Sequence, residues 1–328
     1  MPPFPAMYSV LSNQSLIEQV LSNYALEPPV NCRLLQQGGS DTYLVSAGTQ
    51  RWILRITISG GSIAGHTEDA ELLLKLATCR VPIARPIQRC DGSYVQELAA
   101  LEGPRFATLF EFAHGTPPGK AITPAQSFTY GQAVARMHTC FDTLPQTSQR
   151  WRFDLTTMLD KPLLFWERLL NGRPGDVSYL RSLVPQLKQA LEILVAEVPP
   201  LFGLCHGDLH KTNLLVTPEG GLTLIDFDGP LSYRAYDLAV LFWSMRDLPQ
   251  AEAVCEAYLG GYTTLRHLSE PERAAIPYFV AARHIWINTV EIERATNGYT
   301  ATGWIDDAHF DQFFDFLKRW VRDRCHLE

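Results

Sequence analysis

The chain has 328 residues, 46% of them hydrophobic and 19% charged, the balance of a core-forming protein long enough for two modest domains. A net charge of −7 argues against a nucleic-acid partner, because phosphate backbones select clustered Lys and Arg. No apolar run approaches the roughly 18 residues of a membrane span, and Met1-Pro2-Pro3-Phe4-Pro5-Ala6-Met7 lacks the basic and apolar regions of a signal peptide. The seven cysteines are scattered, without a Cys-x-x-Cys pair, and read as buried thiols of a reducing cytosol.

Residues 15 to 24 carry Leu16, Ile17, Val20 and Leu21 on one helical face, and Pro28-Pro29 ends that segment. Cys32 to Leu35 and Thr42 to Val45 read as strands joined by a glycine tip, Gln36-Gln37-Gly38-Gly39-Ser40-Asp41; Trp52 to Ile58 is a third strand. Gly38 and Gly39 let backbone N–H groups approach an anion without an intervening Cβ. In Trp52-Ile53-Leu54-Arg55-Ile56, alternation sends Leu54 and Ile56 to the core and Arg55 to the opposite face.

A helix is expected over 66–78, with Leu72, Leu73 and Leu76 apolar, followed by the connector Val81-Pro82-Ile83-Ala84-Arg85-Pro86. Thr108 to Phe112 is a short strand running into Gly- and Pro-rich sequence, a natural hinge. Beyond about residue 124 the pattern turns helical: 128–140 with His138 in its packed face, 177–197 with a leucine stripe, 237–245 after an acidic start, and 306–324 with Phe310, Phe314, Leu317 and Val321 on one stripe.

Two segments between these helices carry the chemistry: His206-Gly207-Asp208-Leu209-His210-Lys211-Thr212-Asn213 and Leu224-Ile225-Asp226-Phe227-Asp228. A lone His-Gly-Asp is ordinarily a turn. Here Asp208 is followed five residues on by Asn213, and a second acid, Asp226, follows a strand-like run. A hydroxyl-activating Asp, an amide ligand and a carboxylate ligand on adjacent loops are what phosphoryl transfer from ATP requires. Asp208 is the expected base, and Asn213 and Asp226 the expected ligands of Mg²⁺, a hard cation that prefers oxygen.

These segments resemble the aminoglycoside phosphotransferase/choline kinase-like superfamily, whose motif reads His-Gly-Asp-x-His-x-x-Asn followed by Ile-Asp-Phe/Trp. The likeness continues through Tyr233-Arg234-Ala235-Tyr236-Asp237-Leu238-Ala239. It implies an α+β, bilobal protein-kinase-like fold, with a β-rich N-lobe over 1–115 and a helical C-lobe over 116–328. It implies ATP and Mg²⁺ as cofactors and an enzyme that moves the γ-phosphoryl group to a hydroxyl. Against that frame Gly38, Gly39, Ser40 and Asp41 form the phosphate loop, and Glu111 and Phe112 belong to the adenine-binding hinge.

Protein kinases place a Lys on the third strand; the first lysine here is Lys75, so Arg55 takes that position as a phosphate ligand. Its carboxylate partner is Glu68, or Glu71 one turn on. His210 stands where it approaches the γ-phosphate. Asp237 is expected to brace the catalytic loop through backbone N–H groups. Asp228 is open between a metal ligand, a partner for a substrate amine and a turn cap. Only eleven residues separate Asp226 from Asp237, little room for a peptide-docking loop. A small-molecule hydroxyl acceptor is therefore favoured over a Ser/Thr protein kinase, and both over a catalytically inactive nucleotide-binding protein. The acceptor is expected near Trp243, Glu291 and Trp304 to Asp307, in a cytoplasmic enzyme.

Overall fold

The computed structural model describes residues 6–57, 61–144, 150–196 and 202–327. The expected strand end at Ile58, the residues at Pro145 and 197, and the start Met1–Pro5 lie outside the described residues. The chain forms two compact units. One comprises Met1–Thr116 with Leu215–Ile225, the other Pro117–Leu214 with Asp226–Glu328. The chain first passes between the units after Thr116, and residues 215–225, read from sequence as part of the second lobe, fall in the first unit.

The first unit is built on an antiparallel sheet of β1 (Val30–Gln36), β2 (Ser40–Ala47), β3 (Gln50–Thr57), β4 (Gln96–Ala100) and β5 (Gly103–Glu111), in the order β1-β2-β3-β5-β4. Period-two alternation sends Tyr43, Val45, Leu54, Ile56, Ala107 and Leu109 into one core. Helix α1 (Asn13–Gln19), capped by Ser12, adds Leu16 to that core, and Val20 and Leu21 follow it in. On the opposite face Phe106 packs with Ala70 of α2 (Ile63–Thr78) and with Val95. Arg55 lies between buried Leu54 and Ile56, with Thr42 and Thr108 as cross-strand neighbours. A hairpin of β7 (Leu214–Val216) and β8 (Leu222–Leu224) is tied to the same unit. The Thr116 N–H donates to the Val216 carbonyl at 3.1 Å, and the Leu224 N–H to that of Pro82 at 2.7 Å.

The second unit is helical: α3 (Pro124–Asp142), α4 (Lys161–Leu169), α5 (Pro174–Ala196), α6 (Arg234–Met245), α7 (Ala251–Thr263), α8 (Glu270–Thr296) and α9 (Asp307–Trp320), with a small ladder of β6 (Phe202–Leu204) and β9 (Leu231–Tyr233). Capping boxes start α3 at Thr123/Gln126 and α8 at Ser269/Glu272. Helices α3 and α7 cross so closely that only glycine fits. A Cβ on Gly131 would lie 1.9 Å from the Tyr258 carbonyl oxygen, and one on Gly261 1.9 Å from that of Phe128. The crossing brings Tyr262 of α7 to His138 of α3.

Cys32, Cys205, Cys255 and Cys325 are buried free thiols. The reading of seven buried thiols fails at Cys90, which is exposed, and at Cys79 and Cys140, which are not free. No helix among the described residues is long and apolar enough to cross a membrane.

Candidate active site

The catalytic loop runs from β6 to β7 and is pinned from beneath. Asp237, in the first turn of α6, accepts the His206 N–H at 2.7 Å and the Gly207 N–H at 2.8 Å, the bracing role expected of it. His138 donates to Asp237 from Nε2 at 3.0 Å and accepts from the Tyr262 hydroxyl at 2.9 Å. Burial pushes His138 down to about 4, so it is neutral and fixed in one tautomer. Burial alone would raise Asp237, but the hydrogen bonds from His138 and the Gly207 N–H work against it, and the carboxylate is held low. His138 is thus a packed structural residue, as its helical position indicated.

Asp208 stands at the centre of the loop. Its Oδ1 accepts from Arg283 Nη2 at 2.5 Å; its Oδ2 faces His210 Nε2 and Asn213 Nδ2, both at 3.2 Å. Burial again acts upward, but the hydrogen bond from His210 and the charge of Arg283 hold the carboxyl well below its usual range. His210 Nδ1 accepts from the Thr212 N–H and hydroxyl, which leaves Nε2 to donate to Asp208. The ring expected near the γ-phosphate is therefore turned onto Asp208. Asn213 donates through its amide nitrogen to the Asp208 carbonyl at 2.9 Å as well as to the carboxylate, so its amide oxygen points away.

Asp226 lies in the left-handed region, with φ 65°. Its loop is stitched to the catalytic loop by the next residues: the Phe227 ring lies 4.2 Å from His206, and the Asp228 N–H donates to the His206 carbonyl at 3.0 Å. This places Asp228 within the turn. Among the described residues no three His, Cys, Asp or Glu side chains group as a metal centre. One amide oxygen and one carboxylate fit an ion that keeps most of its shell for phosphate and water.

Arg283 was not legible as a site residue. It is buried on α8, donates to the Tyr236 hydroxyl at 2.6 Å, and lies 5.5 Å from the Trp243 ring and 5.1 Å from that of Trp286. The available signal was one cation inside the apolar run Phe279-Val280-Ala281-Ala282-Arg283-His284-Ile285-Trp286, since an arginine is rarely buried without a partner.

In the first unit the expected nucleotide residues divide. Gly38 and Gly39 turn between β1 and β2 without positive φ, and a Cβ on Gly39 would meet nothing, so the fold itself does not demand glycine there. Ser40 opens β2 and is half-buried. Asp41 is a correction. It is fully buried, its carboxylate bound to Arg105 at 2.6 Å and to the Tyr8 hydroxyl at 2.5 Å, because it falls on the core face with Tyr43 and Val45. Its side chain is not available to phosphate. Glu68, the expected partner of Arg55, makes no hydrogen bond or ion pair among the described residues; neither does Glu71, which is exposed. Glu111 is engaged by Arg85, Nη2 to Oε1 at 2.5 Å, and its backbone N–H is taken by the Arg85 carbonyl. Phe112 packs under Arg51, 4.1 Å from ring to guanidinium, and against His114. Of the expected acceptor region, Trp243 and Glu291 line a cavity and Trp304 packs on His309 in its wall. Asp306 caps α9 and Asp307 pairs with Arg173.

An antiparallel sheet unit followed by a helical unit, with a braced His-Gly-Asp loop and a following Asp loop, defines the kinase-like phosphotransferase class. The chain belongs to the phosphotransferase enzyme family, whose sequence model matches residues 31–268. It is a kinase-type enzyme with an alcohol group as acceptor. An uncharacterised protein of Deinococcus radiodurans is 35% identical over 327 residues, 97% of this chain and 92% of its own. A homoserine kinase of Neisseria meningitidis serogroup B is 26% identical over 287 residues, 83% of this chain and 86% of its own. The solved structure of a microcompartment-associated aminopropanol kinase aligns with a TM-score of 0.68 at 25% identity, over 84% of this chain and 89% of its own.

Proposed function

We propose that the chain transfers the γ-phosphoryl group of ATP to the hydroxyl of a small amino-alcohol-like metabolite. The observation that carries this reading is Asp208, an ionised carboxylate held by Arg283, His210 and Asn213 on a loop braced by Asp237. In the reaction the acceptor oxygen forms a bond to γ-phosphorus, the bond to the β–γ bridging oxygen breaks, ADP leaves, and the hydroxyl proton passes toward Asp208. With its carboxyl held so acidic, Asp208 acts mainly by orienting the hydroxyl and receives the proton late. Asn213 and Asp226 would hold Mg²⁺, which neutralises phosphate charge when bound. Arg55 and the Gly38–Ser40 backbone would bind phosphate, with the Glu111–Phe112 segment serving adenine through its main chain.

The protein-kinase alternative is disfavoured by the stretch after Asp226. Residues 231–233 form β9 and Arg234 begins α6, leaving no long loop to dock a peptide. The aminopropanol and homoserine kinases among its relatives favour a small acceptor carrying an amine. Release of ADP on a panel of amino alcohols, amino sugars, nucleosides and protein substrates tests the reading. Turnover of proteins alone refutes it. Asp226→Ala should abolish Mg²⁺-dependent ATP binding in calorimetry; unchanged affinity for Mg·ATP would remove Asp226 from the metal site.

A further inference from the structure

A cavity of about 600 Å³ opens in the second unit between α6, α8 and α9, with Trp243, Arg246, Asp247, Glu291, Asp315 and Arg319 in its wall. It adjoins the catalytic loop through two links. The Trp243 ring lies 5.5 Å from the Arg283 guanidinium that holds Asp208. The Lys211 N–H donates to the hydroxyl of Ser244, the residue after Trp243, at 3.3 Å. Trp243 is locked in place, its indole N–H donating to His284 Nδ1 at 3.2 Å while His284 Nε2 donates to the Phe313 carbonyl at 3.2 Å. Burial pushes His284 down to about 3, so it fixes the indole without adding charge.

The wall carries both signs, Arg246 and Arg319 against Asp247, Glu291 and Asp315, and of these only Arg246 and Asp247 are ion-paired among the described residues. The Arg246 guanidinium lies 4.1 Å from the Trp243 ring and 5.4 Å from that of Phe316. Its Nη1 donates to the Trp243 carbonyl and its Nε meets Asp247 at 3.4 Å, leaving Nη2 without a partner among the described residues. Glu291 and Arg319 make no hydrogen bond or ion pair there. Burial disfavours the charge on Arg246 and on Glu291 alike, yet the two are not paired with each other. A polycation would satisfy Glu291 and Asp315 but crowd Arg246 and Arg319. A molecule bearing one ammonium and one carboxylate would satisfy both signs.

We infer that this cavity is the acceptor site and takes a hydroxylated zwitterion, its carboxylate on Arg246 and its ammonium on Glu291. The inference rests on the phosphotransferase reading above and narrows its substrate class from amino alcohols to hydroxy amino acids. Matched pairs that differ only by the carboxylate test it: serine against ethanolamine, threonine against 1-aminopropan-2-ol, and homoserine against 3-aminopropan-1-ol. Each is assayed by ADP release with the full chain and Mg·ATP, and by calorimetry in the presence of a non-hydrolysable ATP analogue. In at least one pair the acid should exceed its amine in kcat/KM by tenfold or more. R246Q should erase that preference and R246K keep part of it. E291Q should weaken both members of the pair, and unaltered affinity for the ATP analogue shows that each variant is folded. Amines that outperform their acids, an R246Q enzyme with the parental ratio, or no zwitterion bound or turned over would overturn the inference. Phosphorylation of some other small hydroxyl compound would then leave the phosphotransferase reading standing; ADP release on no small molecule would sink that reading too.

Discussion

Two arginine–aspartate pairs occupy the two units of this chain, and their surroundings separate them. Arg105 and Asp41, 2.6 Å apart, are both fully excluded from solvent inside the first unit. Arg283 and Asp208, 2.5 Å apart, join a buried cation to a carboxylate whose side chain keeps 24% of its exposure. In the first pair both carboxylate oxygens are spent on the fold, one on Arg105 and one on Tyr8. In the second, one oxygen is fixed by Arg283 and the other faces the loop that carries His210 and Asn213. The same two residue types make a sealed structural clamp in one unit and, in the other, a held carboxylate that still reaches solvent.

The largest test of that contrast is Asp208→Asn. Loss of a positioned base should lower kcat by roughly 10²–10⁴, with Mg·ATP affinity retained in calorimetry; near-parental turnover would break the assignment. Second, Arg105→Met strands a buried carboxylate and should cost about 3–5 kcal/mol in denaturant unfolding. Asp41→Asn in the same chain should recover part of it. If Arg105→Met were neutral, Asp41 would be less committed to the fold than its contacts indicate.

Arg283→Met should act on the titration of Asp208. With the guanidinium gone, the acid limb of kcat/KM should rise by about one to three pH units. The sign follows from linkage. A carboxylate held low in the folded state stabilises the protein above its ordinary range, a contribution lost as pH falls through the depressed value. Arg283→Met should therefore also flatten the acid end of the stability curve. An unmoved limb would assign Arg283 to packing alone.

The smallest effect is a slope. His138, buried neutral at about 4, takes up a proton only on unfolding, so stability should fall as pH drops from 6.5 toward 4. The expected gradient is about 1.4 kcal/mol per pH unit for that proton. His138→Gln should reduce the gradient over that window; an unchanged slope would mean that His138 is already protonated in the folded protein.

The clustering of Asp208, His210 and Asn213 was legible because these residues lie close in sequence, and the brace Asp237 because its motif continues through α6. The three strands around the glycine tip were legible from alternation. β4 was missed: Gln96-Glu97-Leu98-Ala99-Ala100 lacks β-branched residues and is a strand by virtue of pairing with β5 at the sheet edge. Helix α8 was missed because its middle is buried on nearly every side and shows no stripe. Asp41 was assigned to phosphate by its nearness to Gly38 and Gly39, although alternation with Tyr43 and Val45 already put it on the core face. Its partner Arg105 is 64 residues away, a distance that no local pattern spans. Arg283 was hidden for the same reason, 75 residues from the carboxylate it serves.

The crossing of α3 and α7 has a consequence for how mutations in this enzyme are interpreted. Gly131 and Gly261 each lie against the other helix's main chain, with no space for even a methyl group. A survey of substitutions scored by activity alone would rank both glycines beside Asp208 and invite a catalytic explanation. Measuring cellular abundance alongside activity separates them. Alanine at either glycine should deplete the protein itself, whereas asparagine at Asp208 should leave a full complement of inert enzyme.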